Sequence, residues 1–157
     1  MKSKIASAIL ILAGTTSIAS NCFAQSSAAI KCNSKVPADV IAGCTAIINA
    51  GTESPQHLAM AYSYRGNVYN DQHQYAKAIS DFSNTIRLAP SPVGYFNRGV
   101  AYGVSNQLDK AIDDFTHAVT LNPKYARAYL DRGRIYQMKG DTANAEKDFA
   151  MAKSLGM

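Results

Sequence analysis

Apolar residues along this chain fall at intervals of three and four rather than in strict alternation. Between Asp39 and Ala50, the residues Val40, Ile41, Cys44, Ile47 and Ile48 share one helix face, and Tyr and Phe recur at helical spacing farther along. The pattern predicts helices over about 38–50, 55–70, 75–88, 92–104, 108–121, 125–138 and 142–155. Punctuation agrees with these bounds. Ser54-Pro55 and Ser91-Pro92 each place a capping hydroxyl before a proline at the first helical position, while Asn106, Gly140 and Asp141 fall where helical hairpins turn.

The first residues have a different character. Lys2 and Lys4 precede an uncharged apolar run over residues 5–19, and Cys22-Phe23-Ala24 puts small residues three and one before Gln25. This three-part layout predicts a secretory signal peptide over residues 1–24, cleaved near Ala24/Gln25, and its apolar run is short for a membrane span. A rival reading makes Cys22 a lipidated residue, but Asn21 is not the small residue such processing resembles. The expected location of the mature chain is the periplasm or the medium.

Self-similarity then organises the remainder. Tyr62 to Tyr69, Tyr95 to Tyr102 and Tyr129 to Tyr136 align on the pairs Arg65-Gly66, Arg98-Gly99 and Arg132-Gly133, at periods of 33 and then 34 residues. A second block follows each: Ala78 with Asp81-Phe82, Ala111 with Asp114-Phe115, and Ala145 with Asp148-Phe149. Pro90 and Pro123 close the first two units. Self-similarity at this period, with small residues fixed in two helical segments, resembles the tetratricopeptide repeat family. The family's pattern of aromatic, small, Tyr, Ala, aromatic, Ala and Pro is met by Tyr62, Gly66, Tyr69, Ala78, Phe82 and Pro90, with Thr85 in place of an Ala. It is met again by Tyr95, Gly99, Tyr102, Ala111, Phe115, Ala118 and Pro123, and by Tyr129, Gly133, Tyr136, Ala145, Phe149 and Ala152.

The resulting expectation is an all-α, right-handed solenoid: three repeats over about 59–91, 92–125 and 126–157, preceded by an N-terminal segment over 25–58 that contains a capping helix. Glycine inside a helix costs about 1 kcal/mol relative to Ala, so Gly66, Gly99 and Gly133 need a packing reason. The expectation is close helix approach, with these glycines opposite Ala78, Ala111 and Ala145. Arg65, Arg98 and Arg132 should fall across each hairpin from Asp81, Asp114 and Asp148 as repeated ion pairs, such that exchanging Arg98 with Asp114 would restore stability lost in either single change. If exposed, each pair is worth at most about 1 kcal/mol.

Composition narrows function. With 47% hydrophobic residues in 157, the chain can bury a core, and disordered, collagen-like or large multidomain classes are excluded. Removing Lys2 and Lys4 from 16 basic residues leaves 14 against 11 acidic ones, a net +3 that is too mild to argue for nucleic acid or for a membrane once the leader is gone. Without Cys22, an even pair remains, Cys32 and Cys44, which in an oxidising compartment reads as a disulfide. A metal or redox site is the alternative, but there is no CxxC and no nearby His. His57, His73 and His117 sit in different repeats with no HExxH spacing, and no GxSxG, phosphate loop or Rossmann fingerprint is present, so neither an enzyme nor a cofactor or metal is expected.

What the resemblance implies is protein binding. In this family the first helices of successive hairpins line a concave groove that holds a partner's peptide. By position in the repeat, Ser63, Asn67, Asn70, Phe96, Asn97, Val100, Arg127, Leu130, Asp131 and Arg134 should face it. Some family members grip a C-terminal carboxylate with five basic and asparagine residues. Asn67, Asn97 and Arg127 match three of those positions, but Ser63 and Asp131 stand where basic side chains belong, which argues against such a clamp. Arg127 and Arg134 are nonetheless expected to attract an acidic peptide. No polar capping helix follows the third repeat, so the face near Phe149, Met151 and Leu155 suggests a homodimer or partner contact through residues 142–155. The alternatives to an adaptor are a self-associating envelope component and a non-catalytic subunit of an enzyme complex.

Overall fold

The computed structural model describes residues 26–157; the signal peptide expected over residues 1–24 and its cleavage point lie outside the described residues. All regular structure among the described residues is helical. It comprises α1 (Ser27–Cys32), α2 (Pro37–Ala50), α3 (Pro55–Asp71), α4 (Tyr75–Leu88), α5 (Pro92–Val104), α6 (Leu108–Leu121), α7 (Ala126–Met138) and α8 (Thr142–Ser154). No described helix is long and apolar enough to cross a membrane.

Local chemistry sets the helix ends. The Ser54 and Ser91 hydroxyls accept the backbone N–H of His57 at 3.2 Å and of Gly94 at 3.1 Å, and Pro55 and Pro92 follow them without forfeiting a helical hydrogen bond. The three hairpins turn in the same way. His73, Asn106 and Gly140 hold left-handed backbone at φ 59°, 61° and 79°, and the next residue donates back to Tyr69, Tyr102 or Tyr136 at 2.8 to 2.9 Å. Gly140 and Asn106 suit that region, whereas His73 adopts it at a steric cost.

Each helix packs on the next, and the first helices of successive hairpins, α3, α5 and α7, also touch one another. These nearest-neighbour contacts form a solenoid whose inner face is built from first helices. Phe82 and Phe115 are each 1% exposed at the centres of their hairpins.

Two packing details differ from expectation. A methyl group on Gly66 or Gly99 would lie 2.9 Å from the ring of Phe82 or Phe115, and on Gly133 it would lie 2.7 Å from that of Phe149. At closest approach the glycines therefore meet phenylalanine rings rather than Ala78, Ala111 and Ala145. Those alanines are buried, and the flat rings slide under the glycine backbone from the facing helix. The second difference is α1, whose position no periodicity announced although residues 39–50 read as the second helix of a degenerate hairpin. It pairs with α2, making the N-terminal cap a hairpin: Cys32 and Cys44 are joined by a disulfide, and Gly43 lets the chains approach so closely that a Cβ there would sit 2.4 Å from the Cys32 nitrogen. Ala29, Cys32, Val40, Cys44 and Ile47 close over Ala61 of α3. At the other end, Phe149 and Leu155 are half-buried and Met151 is exposed.

Candidate binding groove

Two sets of Arg and Asp residues dominate the polar chemistry. The first runs through the stack. Arg65, Arg98 and Arg132 each donate from Nε and Nη2 to both carboxylate oxygens of Asp81, Asp114 and Asp148, at 2.7 to 2.8 Å. The carboxylates are nearly buried, with side chains 5 to 8% exposed. Each arginine's Nη1 reaches back to the preceding hairpin and donates to Thr45, Ser83 or Thr116. Tyrosine rings three residues before and four after flank every guanidinium, at 5.5 to 6.0 Å from the ring centroids. Hydrogen bonding to the carboxylate raises each arginine further above its ordinary range. These groups join hairpins, and none of the six charged residues lines the cavity described next.

That cavity, of about 650 Å³, opens on the inner face. Asn67, Asn70, Phe96, Asn97, Val100, Arg127, Asp131 and Arg134, expected there from their position in the repeat, line it; Ser63 and Leu130 do not and are half-buried elsewhere. Phe82, Gly103, Val104, Asn106, Phe115, Ile135 and Met138 also contribute. Val104 and Met138 lie one helical turn beyond Val100 and Arg134, a signal that extending the same face would have found. The two phenylalanines reach the cavity from α4 and α6, through the gap left by the glycines.

The groove grades from amides to apolar surface to charge. Asn97 donates its side-chain amide to Asn67 Oδ1 at 3.3 Å, and Asn70 Oδ1 is buried without a hydrogen-bond partner. Phe96 packs against Phe115 and Tyr125 with ring centroids 5.6 and 5.0 Å away. At the far wall, Asp131 accepts from Arg127 Nε at 2.9 Å through Oδ2 and from Arg134 Nη1 at 2.8 Å through Oδ1. The two arginines expected to await an acidic peptide are thus already engaged by a carboxylate of their own helix. Lys139 beyond them pairs with Asp109.

The histidines are dispersed. His57 contacts Glu53 at 3.2 Å, His73 contacts the Tyr75 hydroxyl at 2.8 Å, and His117 stacks on Tyr95 with centroids 4.9 Å apart. No cluster of three or more His, Cys, Asp or Glu suited to a metal ion occurs among the described residues.

Stacked two-helix hairpins whose first helices share a concave wall define a helical-repeat protein of the kind that binds other chains. Residues 92–125 match one sequence model of the tetratricopeptide repeat and residues 115–147 match a second, so the chain carries tetratricopeptide repeats over 92–147. No curated protein matches the chain. Among solved structures it is similar to MamA, at 26% identity, with 77% of this chain and 69% of that one covered and a TM-score of 0.71. It is also similar to the first TPR domain of Spaghetti (RPAP3) bound to the HSP90 peptide SRMEEVD, at 29% identity, 68% and 85% coverage and a TM-score of 0.64. The TPR domain of Arabidopsis OM64 matches at 25% identity, 66% and 86% coverage and a TM-score of 0.64.

Proposed function

We propose that this chain is an exported interaction protein whose groove holds a peptide segment of a protein partner. The observation that carries the reading is the cavity itself. It is concave, walled by the first helices of three successive hairpins, apolar along Phe96, Val100 and Met138, and bordered by hydrogen-bonding amides, as a ligand site should be. The RPAP3 domain, similar in fold, is bound to a peptide, which supports the same use here. Export rests on the leader pattern of residues 1–24, and the Cys32–Cys44 disulfide is consistent with an oxidising compartment.

The test is panning of a random-peptide phage library on the chain recovered from an export-competent bacterial host, beside its Val100→Glu and Met138→Glu variants. Wild type should enrich sequences whose affinity falls at least about tenfold in both variants, and N-terminal sequencing should begin at Gln25. Met138 is 61% exposed, so its replacement does not threaten the fold. Enrichment indifferent to both substitutions would remove the groove from the reading.

Self-association through residues 142–155 is a second reading, favoured by the exposure of Met151 at 43%. Sedimentation of wild type and Met151→Lys at high concentration decides it: a dimer lost in the variant supports this reading, and a monomer throughout ends it.

A further inference from the structure

Among the described residues lining the groove, Arg127 and Arg134 are the cations and Asp131 is the anion. The arginine side chains are 57% and 56% exposed, but the carboxylate between them is only 13% exposed and uses both oxygens to hold them. Asp131 sits four residues after Arg127 and three before Arg134, the spacings at which side chains on a helix meet, so the triad is built from one helix and needs no ligand to form. A ligand carboxylate approaching these guanidinium groups would find one N–H of each, Arg127 Nε and Arg134 Nη1, already donated to Asp131. It would also stand beside a like charge, which opposes binding. The remainder of the groove asks for something else: apolar side chains against Phe96, Val100 and Met138, and an N–H donor for the buried, unpartnered Asn70 Oδ1.

We propose that the groove takes an uncharged peptide segment anchored by apolar side chains, and that Asp131 sets this preference by occupying from within the two guanidinium groups on which an acidic anchor would otherwise sit. The inference deepens the peptide-binding reading and rests on it. Asp131 acts here as a specificity-determining residue. It does so by cancelling one of the two positive charges and drawing one N–H from each guanidinium before any partner arrives, an example of selecting against a competitor rather than for the ligand.

The experiment uses the full chain from the exporting host, wild type and Asp131→Asn. The substitution keeps shape and removes charge; thermal melts of both proteins establish that the fold is retained. Fluorescence anisotropy with labelled SRMEEVD, which carries three acidic side chains and a terminal carboxylate, should show affinity rising about tenfold or more in Asp131→Asn at low salt, with the gain shrinking as salt is added. Adding Arg127→Gln and Arg134→Gln to Asp131→Asn should abolish the gain. Phage panning in parallel should enrich apolar, uncharged sequences on wild type and shift toward acidic ones on Asp131→Asn. Unchanged or weaker SRMEEVD binding by Asp131→Asn would overturn the inference, showing that the carboxylate only orients the arginines. Acidic sequences enriched equally on both proteins would overturn it while leaving peptide binding intact. Failure of either protein to enrich any groove-dependent sequence would overturn both readings.

Discussion

The ion pair at the centre of the stack allows a sharp test, because its two members are not equally buried. Asp114 has a side chain 5% exposed and Arg98 one that is 21% exposed. Replacing Arg98 with Met keeps an apolar stem in place but strands a buried carboxylate. Breaking a buried pair in this way costs about 3–5 kcal/mol, and the near-complete burial of Asp114 places the loss at the upper end. Asp114→Ala strands a guanidinium that retains Ser83 Oγ at 3.0 Å, two tyrosine faces and some water, so its loss should fall near the lower end. The double variant leaves no unpaired buried charge. It should therefore be more stable than Arg98→Met alone, with a coupling of about 2 kcal/mol or more. Urea unfolding followed by circular dichroism at 222 nm measures all four proteins under one two-state treatment. Additive losses would refute the reasoning, since they would mean that each charge is already at ease with solvent. The geometry also revises the expectation that exchanging Arg98 and Asp114 restores stability. The Ser83 hydroxyl and the rings of Tyr95 and Tyr102 are arranged around a cation on α5, so an aspartate at position 98 would face them instead and most of the loss should remain.

Other outcomes follow from single contacts. Reducing the Cys32–Cys44 bridge, or replacing Cys44 with Ala, should lower unfolding free energy by about 3 kcal/mol, read from urea midpoints with and without reductant; equal midpoints would show that α1 and α2 hold without it. Two glycines of α5 should respond oppositely to alanine: Gly99→Ala, whose methyl would meet the buried Phe115 ring at 2.9 Å, should lose about 1–3 kcal/mol. Gly103→Ala should be neutral or gain up to about 1 kcal/mol, because the only tight contact of its methyl is with the movable terminal carbon of Ile135 at 3.0 Å, Ala111 lying at an ordinary 3.9 Å. Melting temperatures separate the pair, and equal losses would point to helix geometry instead. Burial raises the Tyr125 phenol above its ordinary value near 10, so the unfolded chain deprotonates first as pH rises. That contribution is complete below about pH 10 and fades as pH climbs through the folded value; Tyr125→Phe should flatten the fall in urea midpoint as pH is raised above about 10.

Much of this was legible in the sequence because a repeat reports the same environment three times. Arg65, Arg98 and Arg132 against Asp81, Asp114 and Asp148 could be paired from spacing alone, since an antiparallel hairpin with a central turn brings those positions together. Helix bounds were legible from serine, proline and the apolar period. What stayed hidden depends on geometry between units. The hydroxyls of Thr45, Ser83 and Thr116 are unremarkable until the preceding hairpin is stacked against each arginine. Helix α1 spans only six residues, too few for a period, and depends on α2 and the disulfide. The glycines announced close approach but not which atom approaches. In the groove, Asp131 was visible as a departure from a basic position; that it closes on both Arg127 and Arg134 depends on side-chain directions that spacing permits without selecting.

The same residue pair thus serves two ends, and burial together with connectivity decides which. Arg132 and Asp148 bond across two helices with side chains 14% and 8% exposed, so parting them requires the hairpin to open. Arg127, Asp131 and Arg134 bond within a single helix, with both guanidinium groups more than half exposed. They can part by rotating side chains while every helix stays in place, at the modest cost typical of surface pairs. A partner supplying a few kcal/mol of binding energy can rearrange the second set but not the first. Recognition can therefore change by substitution at position 131 without disturbing the ladder, whereas substitution in the ladder must alter stability. Continuation of the ladder is limited as well. Ser83 and Thr116 lie two residues past Asp81 and Asp114, but Ala150 holds that place after Asp148. Helix α8 thus offers no hydroxyl there, so a second copy or partner docking on it could not make the inter-hairpin arginine bond that Ser83 and Thr116 accept.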